Sequence, residues 1–294
     1  MTAVLSLIAN PDTPVIDDGV IARIQNRTGA GEARVLSPGV AYDLAIEDAA
    51  NELAEAARAA SEGLPIDVNV LSEKARRKKL LIADMDSTMI EQECIDELAD
   101  FAGKRTEISA ITERAMRGEL DFEAALKERV AMLKGLPASV LEEAFNDRIS
   151  LTPGAKTLVQ TMNAAGAVTA LVSGGFTFFT AKVAAATGFA SNQANILETE
   201  NDTLTGAVRE PILGRQAKLD ALIALAAENT IPLEETLAVG DGANDLAMLE
   251  RAGLGVAFHA KPAVAAAAHA RIDHGDLTAL LYLQGVPQSE FCTT

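Results

Sequence analysis

Three short motifs in this 294-residue chain hold side chains able to act together on one substrate. They are Asp84-Met85-Asp86-Ser87-Thr88, Ser173-Gly174-Gly175 and Gly240-Asp241-Gly242-Ala243-Asn244-Asp245. Aspartates gathered into one crevice repel one another unless a cation or a shared proton offsets the charge. The donors are hard oxygens with no His or Cys nearby, a set that selects Mg²⁺ over zinc or copper. A carboxylate such as Asp84 can attack phosphorus and form an aspartyl-phosphate. Asp86, two residues on, can protonate the leaving oxygen and then deprotonate the attacking water. Ser173 and nearby backbone N–H groups can hold a phosphate, the glycines allowing close approach. A lysine is wanted for the remaining charge, and Lys218, opening the helical run 218–227 (KLDALIALAA), is the candidate.

Taken singly, each motif has an ordinary explanation: surface acid, a turn, a solvated lysine. Their placement argues otherwise. Short apolar runs without alternation occur at 80–83 (LLIA), 167–172 (AVTALV), 236–239 (TLAV) and 254–258 (LGVAF). Such runs read as parallel strands buried on both faces, with helices between them. The three motifs follow the first, second and third runs directly, and ligands of open α/β sheets bind outside the carboxyl ends of the strands. Residues 94–148 show helical patterns and no convincing strand, so a helical insertion capping the sheet is expected. The Ala-rich stretch 263–268 reads as helix.

The first seventy residues follow a different grammar. Strand-like runs at 4–8, 33–36, 41–46 and 66–70 are separated by helical runs at 18–24, capped by Asp17 or Asp18, and at 48–60, ended near Gly63-Leu64-Pro65. The second and third strands can pair around Ser37-Pro38-Gly39. The order βαββαβ suggests a ferredoxin-like sandwich without a catalytic motif. The charged stretch 72–79 (SEKARRKK) reads as a connecting helix or linker.

Composition narrows the function classes. The chain is 49% hydrophobic and 23% charged, with 25 Lys+Arg against 42 Asp+Glu and a net charge of -17. That apolar content excludes global disorder, and the acid excess disfavours nucleic acid and anionic membranes as partners. No apolar run reaches the ~18 residues of a membrane span, and the first nine residues lack a signal-peptide pattern. The two cysteines, Cys94 and Cys292, cannot form a disulfide framework and read as a core thiol and a tail thiol, which fits a cytoplasmic protein. His259, His269 and His274 have no partner pattern and are given no chemistry.

Together the three motifs and Lys218 resemble motifs I to IV of the haloacid dehalogenase-like phosphatase superfamily. More narrowly, 84–96 (DMDSTMIEQECID), Met116-Arg117-Gly118 and 122–135 (FEAALKERVAMLKG) resemble its phosphoserine phosphatases. The resemblance spans residue 80 to about 284. It implies Asp84 as nucleophile and Asp86 as general acid/base. Mg²⁺ would be bound by the Asp84 carboxylate, the Asp86 carbonyl and Asp241, with Asp245 supporting the metal or Lys218. Ser173, Gly174 and Lys218 would grip the phosphoryl group, and Asn244 would add a polar contact. In the cap, Glu93 would meet the substrate ammonium, Arg129 its carboxylate, and Met116 and Phe122 would close over it. A forked guanidinium suits a carboxylate independently of any family.

The implied architecture is α/β: a Rossmann-like parallel sheet with a helical cap at about 94–150, in a domain of residues 79–294. An N-terminal ferredoxin-like, ACT-like α+β domain would occupy residues 1–78, for amino-acid binding or for a structural role such as forming a homodimer. The implied reaction is Mg²⁺-dependent hydrolysis of O-phospho-L-serine through a phospho-aspartate, the last step of L-serine biosynthesis. The partner is thus a small molecule. A phosphotransferase passing the phosphoryl group to another hydroxyl would use the same motifs, and a non-catalytic amino-acid sensor would have lost Asp84, Asp86 or Lys218.

Overall fold

A computed structural model of the chain describes residues 3–47, 51–117 and 119–292, without the side chains of Asn51 and Met116. The N-terminal unit runs β1 (Ala3–Ala9), α1 (Asp18–Thr28), β2 (Ala33–Ser37), β3 (Ala41–Ile46), α2 (Asn51–Ala60) and β4 (Ile66–Ser72). Its sheet has the order β2-β3-β1-β4 with antiparallel neighbours throughout, the ferredoxin-like arrangement. Of the two possible caps for α1, Asp17 is used: its carboxylate accepts the Val20 N–H at 2.8 Å. The expected start of α2 at Asp48 lies outside the described residues.

Alternation along β1 sends Leu5 and Leu7 to one face, where they pack with Val20, Ile24 and Ala57 of the two helices. Val4 and Ile8 point the other way and share one apolar cluster with Leu280 and Tyr282 from the chain's far end. The open face of this sheet is therefore covered by the rest of the molecule. Residues 73–79 form no helix, so of the two readings of that charged stretch the linker is correct. It is not uniformly solvated. Arg76 is 7% exposed, grips both carboxylate oxygens of Asp43 at 2.7 Å, and donates to the Leu283 and Tyr282 carbonyls.

The second unit opens with β5 (Leu80–Ala83), a tight helical turn at Met85–Met89, and four cap helices: α3 (Cys94–Phe101), α4 (Arg105–Met116), α5 (Phe122–Ala131) and α6 (Ser139–Arg148). There follow α7 (Ala155–Ala164), β6 (Val168–Phe176), α8 (Thr177–Thr187), β7 (Ser191–Asn195), β8 (Leu197–Glu200) and β9 (Thr203–Val208). The remainder is α9 (Arg215–Glu228), β10 (Thr236–Gly240), α10 (Leu246–Arg251), β11 (Leu254–Phe258), α11 (Pro262–Ala267), β12 (Ala270–Ile272) and α12 (Ala279–Leu283).

Six strands form a parallel sheet in the order β12-β11-β10-β5-β6-β7. Leu81 and Leu237 belong to the apolar cluster on one face, Leu80 and Ala238 to that on the other, which is why the strands read as unbroken apolar runs. Central β5 has β6 on one side and β10 on the other, so the chain reverses direction across the sheet there and opens a crevice at the strand ends. The hairpin β8-β9 was not foreshadowed by the sequence. It steadies the cap: Leu204 exchanges backbone hydrogen bonds with Gly135 and Leu136, and Ala138 N–H donates to Asp202.

Candidate active site

Asp84 leaves the end of β5 with its N–H donated to the Val239 carbonyl of the neighbouring strand at 3.0 Å. The chain then turns tightly, with Ser87 in the left-handed region at φ 52°. One Asp84 carboxylate oxygen accepts the Met85 N–H at 2.7 Å; the other lies 2.7 Å from the Lys218 ammonium and 3.5 Å from the Asn244 amide nitrogen. Lys218, one turn inside α9, is fully buried and also pairs with Asp245 at 2.7 Å. The second Asp245 oxygen accepts from the Gly242 N–H at 3.1 Å. Gly240 is required here, because a Cβ would sit 2.3 Å from the Asp245 carboxyl carbon.

Asp84, Asp241 and Asp245 present oxygens that all lie within 4.8 Å of one another, and all three residues are buried. Lys218 is the one cation paired with this triad among the described residues. Asp241 receives a long 3.3 Å hydrogen bond from the Thr88 hydroxyl. Burial, reinforced by Glu93, Asp245 and Asp84, drives the Asp241 carboxyl well above the ordinary range. Burial and the Asp84 charge push Asp245 up to about 7. For Lys218 burial acts to lower the value, but Asp245 and Asp84 outweigh it and hold the ammonium charged. Ionising all three against one ammonium would leave surplus negative charge, and an all-oxygen donor set under that pressure fits a hard cation. The Asp86 carboxylate stands outside the triad, so a part for Asp86 in binding metal rests on its carbonyl.

Asp86 faces the pocket beneath the helical insertion. It accepts the Cys94 N–H at 3.3 Å from the first turn of α3, and burial together with the Asp84 charge raises it to about 6. The Ser173 hydroxyl accepts the Gly175 N–H at 2.9 Å. Here β6 continues as strand through Gly174 and Gly175 to Phe176, beyond the apolar run at 167–172. The cap closes the crevice from above. Gly174 lies under Phe122, whose ring would be 2.7 Å from any Cβ at that position.

One pocket is lined by Asp84, Asp86, Ser173, Gly174 and Asn244 from the sheet side and by Glu93, Phe122 and Arg129 from the cap. Glu93 accepts from the Ser87 hydroxyl at 2.7 Å and is raised to about 8 by burial and by Asp86 and Asp84. Arg129 is 5% exposed, with burial lowering its value, and no carboxylate lies within 4.0 Å of it among the described residues. The fold thus brings Asp84, Asp86, Glu93, Phe122, Arg129, Ser173, Gly174, Lys218, Asn244, Asp241 and Asp245 to one locality. Met116 ends α4, but its side chain lies outside the described residues, as does Gly118.

Sequence reasoning missed Thr112, which lines the pocket and accepts a hydrogen bond from Arg129 at 2.9 Å. It also missed the role of Thr88 against Asp241. Thr112 stands one turn before Met116 on a helix, a spacing that carries no chemical signal by itself. Two of the three histidines serve structure through their rings: His269 accepts the Gly255 N–H, and His259 meets the Gly275 carbonyl.

The chain matches the profile of the haloacid dehalogenase-like hydrolases over residues 81–250. It is 39% identical over 295 residues to a phosphoserine phosphatase of Streptomyces coelicolor, covering 98% of this chain and 72% of that one. A haloacid dehalogenase family hydrolase from Salmonella enterica serovar Typhi superposes with a TM-score of 0.84 at 34% identity, covering 96% of this chain and 98% of that one. A phosphoserine phosphatase solved as a phospho-aspartyl intermediate analogue gives 0.67 at 41% identity over 70% of this chain and 98% of its own.

Proposed function

Because the chain belongs to the haloacid dehalogenase-like hydrolases, and to the phosphoserine phosphatases among them, we propose that it hydrolyses O-phospho-L-serine to L-serine and phosphate. The observation that carries this reading is Arg129: a buried guanidinium without a carboxylate partner, lining the same pocket as Asp84 and Glu93. Phosphoserine offers a phosphate, an ammonium and a carboxylate, and the pocket holds a complement for each.

In the proposed mechanism the Ser173 hydroxyl, the Gly174 N–H and the Lys218 ammonium hold the phosphoryl oxygens. A carboxylate oxygen of Asp84 attacks phosphorus while the bond to the seryl oxygen breaks, and Asp86 passes its proton to that oxygen. Asp86 then takes a proton from water as the water attacks phospho-Asp84, releasing phosphate and restoring both carboxyls. A carboxyl raised to about 6 is suited to give and take a proton near neutrality. Mg²⁺, held by the Asp84 carboxylate, the Asp86 carbonyl and Asp241 with Asp245 behind them, would supply positive charge against the phosphoryl oxygens.

Glu93 meets the ammonium, Arg129 the carboxylate, and Phe122 shields the reacting centre from water. In this reading residues 79–294 are the catalytic domain and residues 1–78 an accessory domain. Its covered sheet face supports a structural role. The reaction would be the last step of L-serine biosynthesis, in the cytoplasm. Phosphate release from phosphorylated amino acids, sugars and nucleotides, with Mg²⁺ and with chelator, tests the reading. Phosphoserine should lead and chelator should stop turnover; equal turnover of sugar phosphates would sink the substrate assignment. Asp84→Asn with normal activity would sink the mechanism.

A further inference from the structure

The groups that hold Arg129 form a chain through three cap helices. Its Nε donates to the Ala125 carbonyl at 3.1 Å, one turn back on α5, and its Nη1 donates to the Thr112 hydroxyl on α4 at 2.9 Å. Nη2 has no hydrogen-bond partner among the described residues. The Thr112 oxygen lies 3.0 Å from Asp96 Oδ1 on α3 and 3.0 Å from the Ile108 carbonyl. The other Asp96 oxygen accepts from the Ser109 hydroxyl at 2.8 Å. A threonine hydroxyl has one proton. Having accepted from Arg129, Thr112 has that proton to give, and the charged carboxylate is the stronger acceptor.

A hydroxyl thus stands between a buried cation and one of the carboxylates, with Glu93 and Asp86, whose charge favours it. Were Asp96 paired directly with Arg129, it would occupy the fork and compete with any acidic ligand. With Thr112 between them, one edge of the guanidinium is fixed and the other is left for the pocket. We propose that Thr112, itself held by Asp96, is the positioning residue that aims the Arg129 fork, and so sets the preference for phosphate esters bearing a carboxylate. The proposal rests on the reading of Arg129 given above.

The test compares O-phosphoserine with O-phosphoethanolamine, which keeps the phosphate and ammonium and lacks the carboxylate. Thr112→Val keeps the shape and removes both hydrogen bonds; Thr112→Ser keeps both. Thr112→Val should raise KM for phosphoserine about tenfold with little change in kcat, the scale of a hydrogen bond to a charged group. Both constants for phosphoethanolamine should stay within about twofold, and Thr112→Ser should behave as wild type. Asp96→Asn, which leaves the pocket lining intact, should shift phosphoserine KM in the same direction by less, and it serves if Thr112→Val fails to fold in thermal melts. An unchanged phosphoserine KM in the folded variant, equal losses on both substrates, or a serine variant no better than valine would overturn the proposal. Wild-type enzyme that fails to prefer phosphoserine over phosphoethanolamine would instead remove the carboxylate role of Arg129, and the proposal with it.

Discussion

Replacing Lys218 with methionine tests the charge balance of the site directly. The side chain is fully buried, and its ammonium stands 2.7 Å from both Asp84 and Asp245. Methionine keeps the unbranched shape and removes the charge. Taking one partner from a buried pair costs about 3–5 kcal/mol, because the carboxylates remain and cannot reach water. Each kcal/mol moves the melting temperature of a chain this size by roughly 2–4 °C, so metal-free Lys218→Met should melt roughly 6–20 °C below wild type.

The deficit depends on pH in a definite direction. Asp245 and Asp86 have folded-state values of about 7 and about 6, above the ordinary 3.8, so the folded chain holds protons that the unfolded chain releases. Their contribution to stability is complete below about pH 4 and is lost as pH rises toward 6 to 7. Removing the ammonium raises these values further and extends that window upward. The gap between variant and wild type should therefore be small at pH 5 and large at pH 8. Mg²⁺ should narrow it at pH 8 by restoring positive charge. Thermal melts in chelator at both pH values, repeated with Mg²⁺, supply the measurement. A variant melting within about 2 °C of wild type at pH 8 in chelator would refute the account of Lys218 as the charge that makes the triad tolerable. Phosphate release should fall by about a hundredfold or more in the same variant, as the phosphoryl oxygens lose a cationic donor.

Three further outcomes are expected. Asp86→Asn should cut phosphoserine turnover by about 10²–10⁴ and p-nitrophenyl phosphate turnover far less, since a phenolate departs without a proton; equal losses would count against Asp86 as the acid. Arg129→Ala should raise KM for phosphoserine by about tenfold to a hundredfold and leave phosphoethanolamine nearly untouched, and an unselective loss would remove the carboxylate assignment. Gly174→Ala forces a Cβ to within 2.7 Å of the Phe122 ring, so kcat/KM should fall about tenfold, as for an overpacked contact. Adding Phe122→Leu should recover part of that loss, and no recovery would mean that the clash is not the cause.

Much of the fold was legible because burial on both faces leaves a plain mark in a sequence. The runs at 80–83 and 254–258 coincide with β5 and β11, and 41–46 with β3. The runs beginning at 167 and 236 continue further as strand, through the glycines that follow them. Polar strands were less legible: β7 (SNQAN) and β8 (LETE) carry neither an apolar run nor a buried alternating face. The stretch 72–79 read only as a charged helix or linker, yet Arg76 is buried against a carboxylate from β3 that no local pattern announces.

The sequence by itself determined which acids and which serine the strands deliver and in what order, because a polar residue directly behind a buried parallel strand can only emerge at the sheet's carboxyl edge. It showed too that the acids of the motifs needed a cation or a shared proton among them. Tertiary structure alone decided how the charges pair. Lys218 is shared between Asp84 and Asp245, Asp86 stands apart from the triad, and Arg129 is held through Thr112 by a carboxylate it does not touch. Those contacts join residues of different helices and strands whose side-chain directions follow from packing. Hydrogen bonds reaching across elements have no periodicity to leave in the chain.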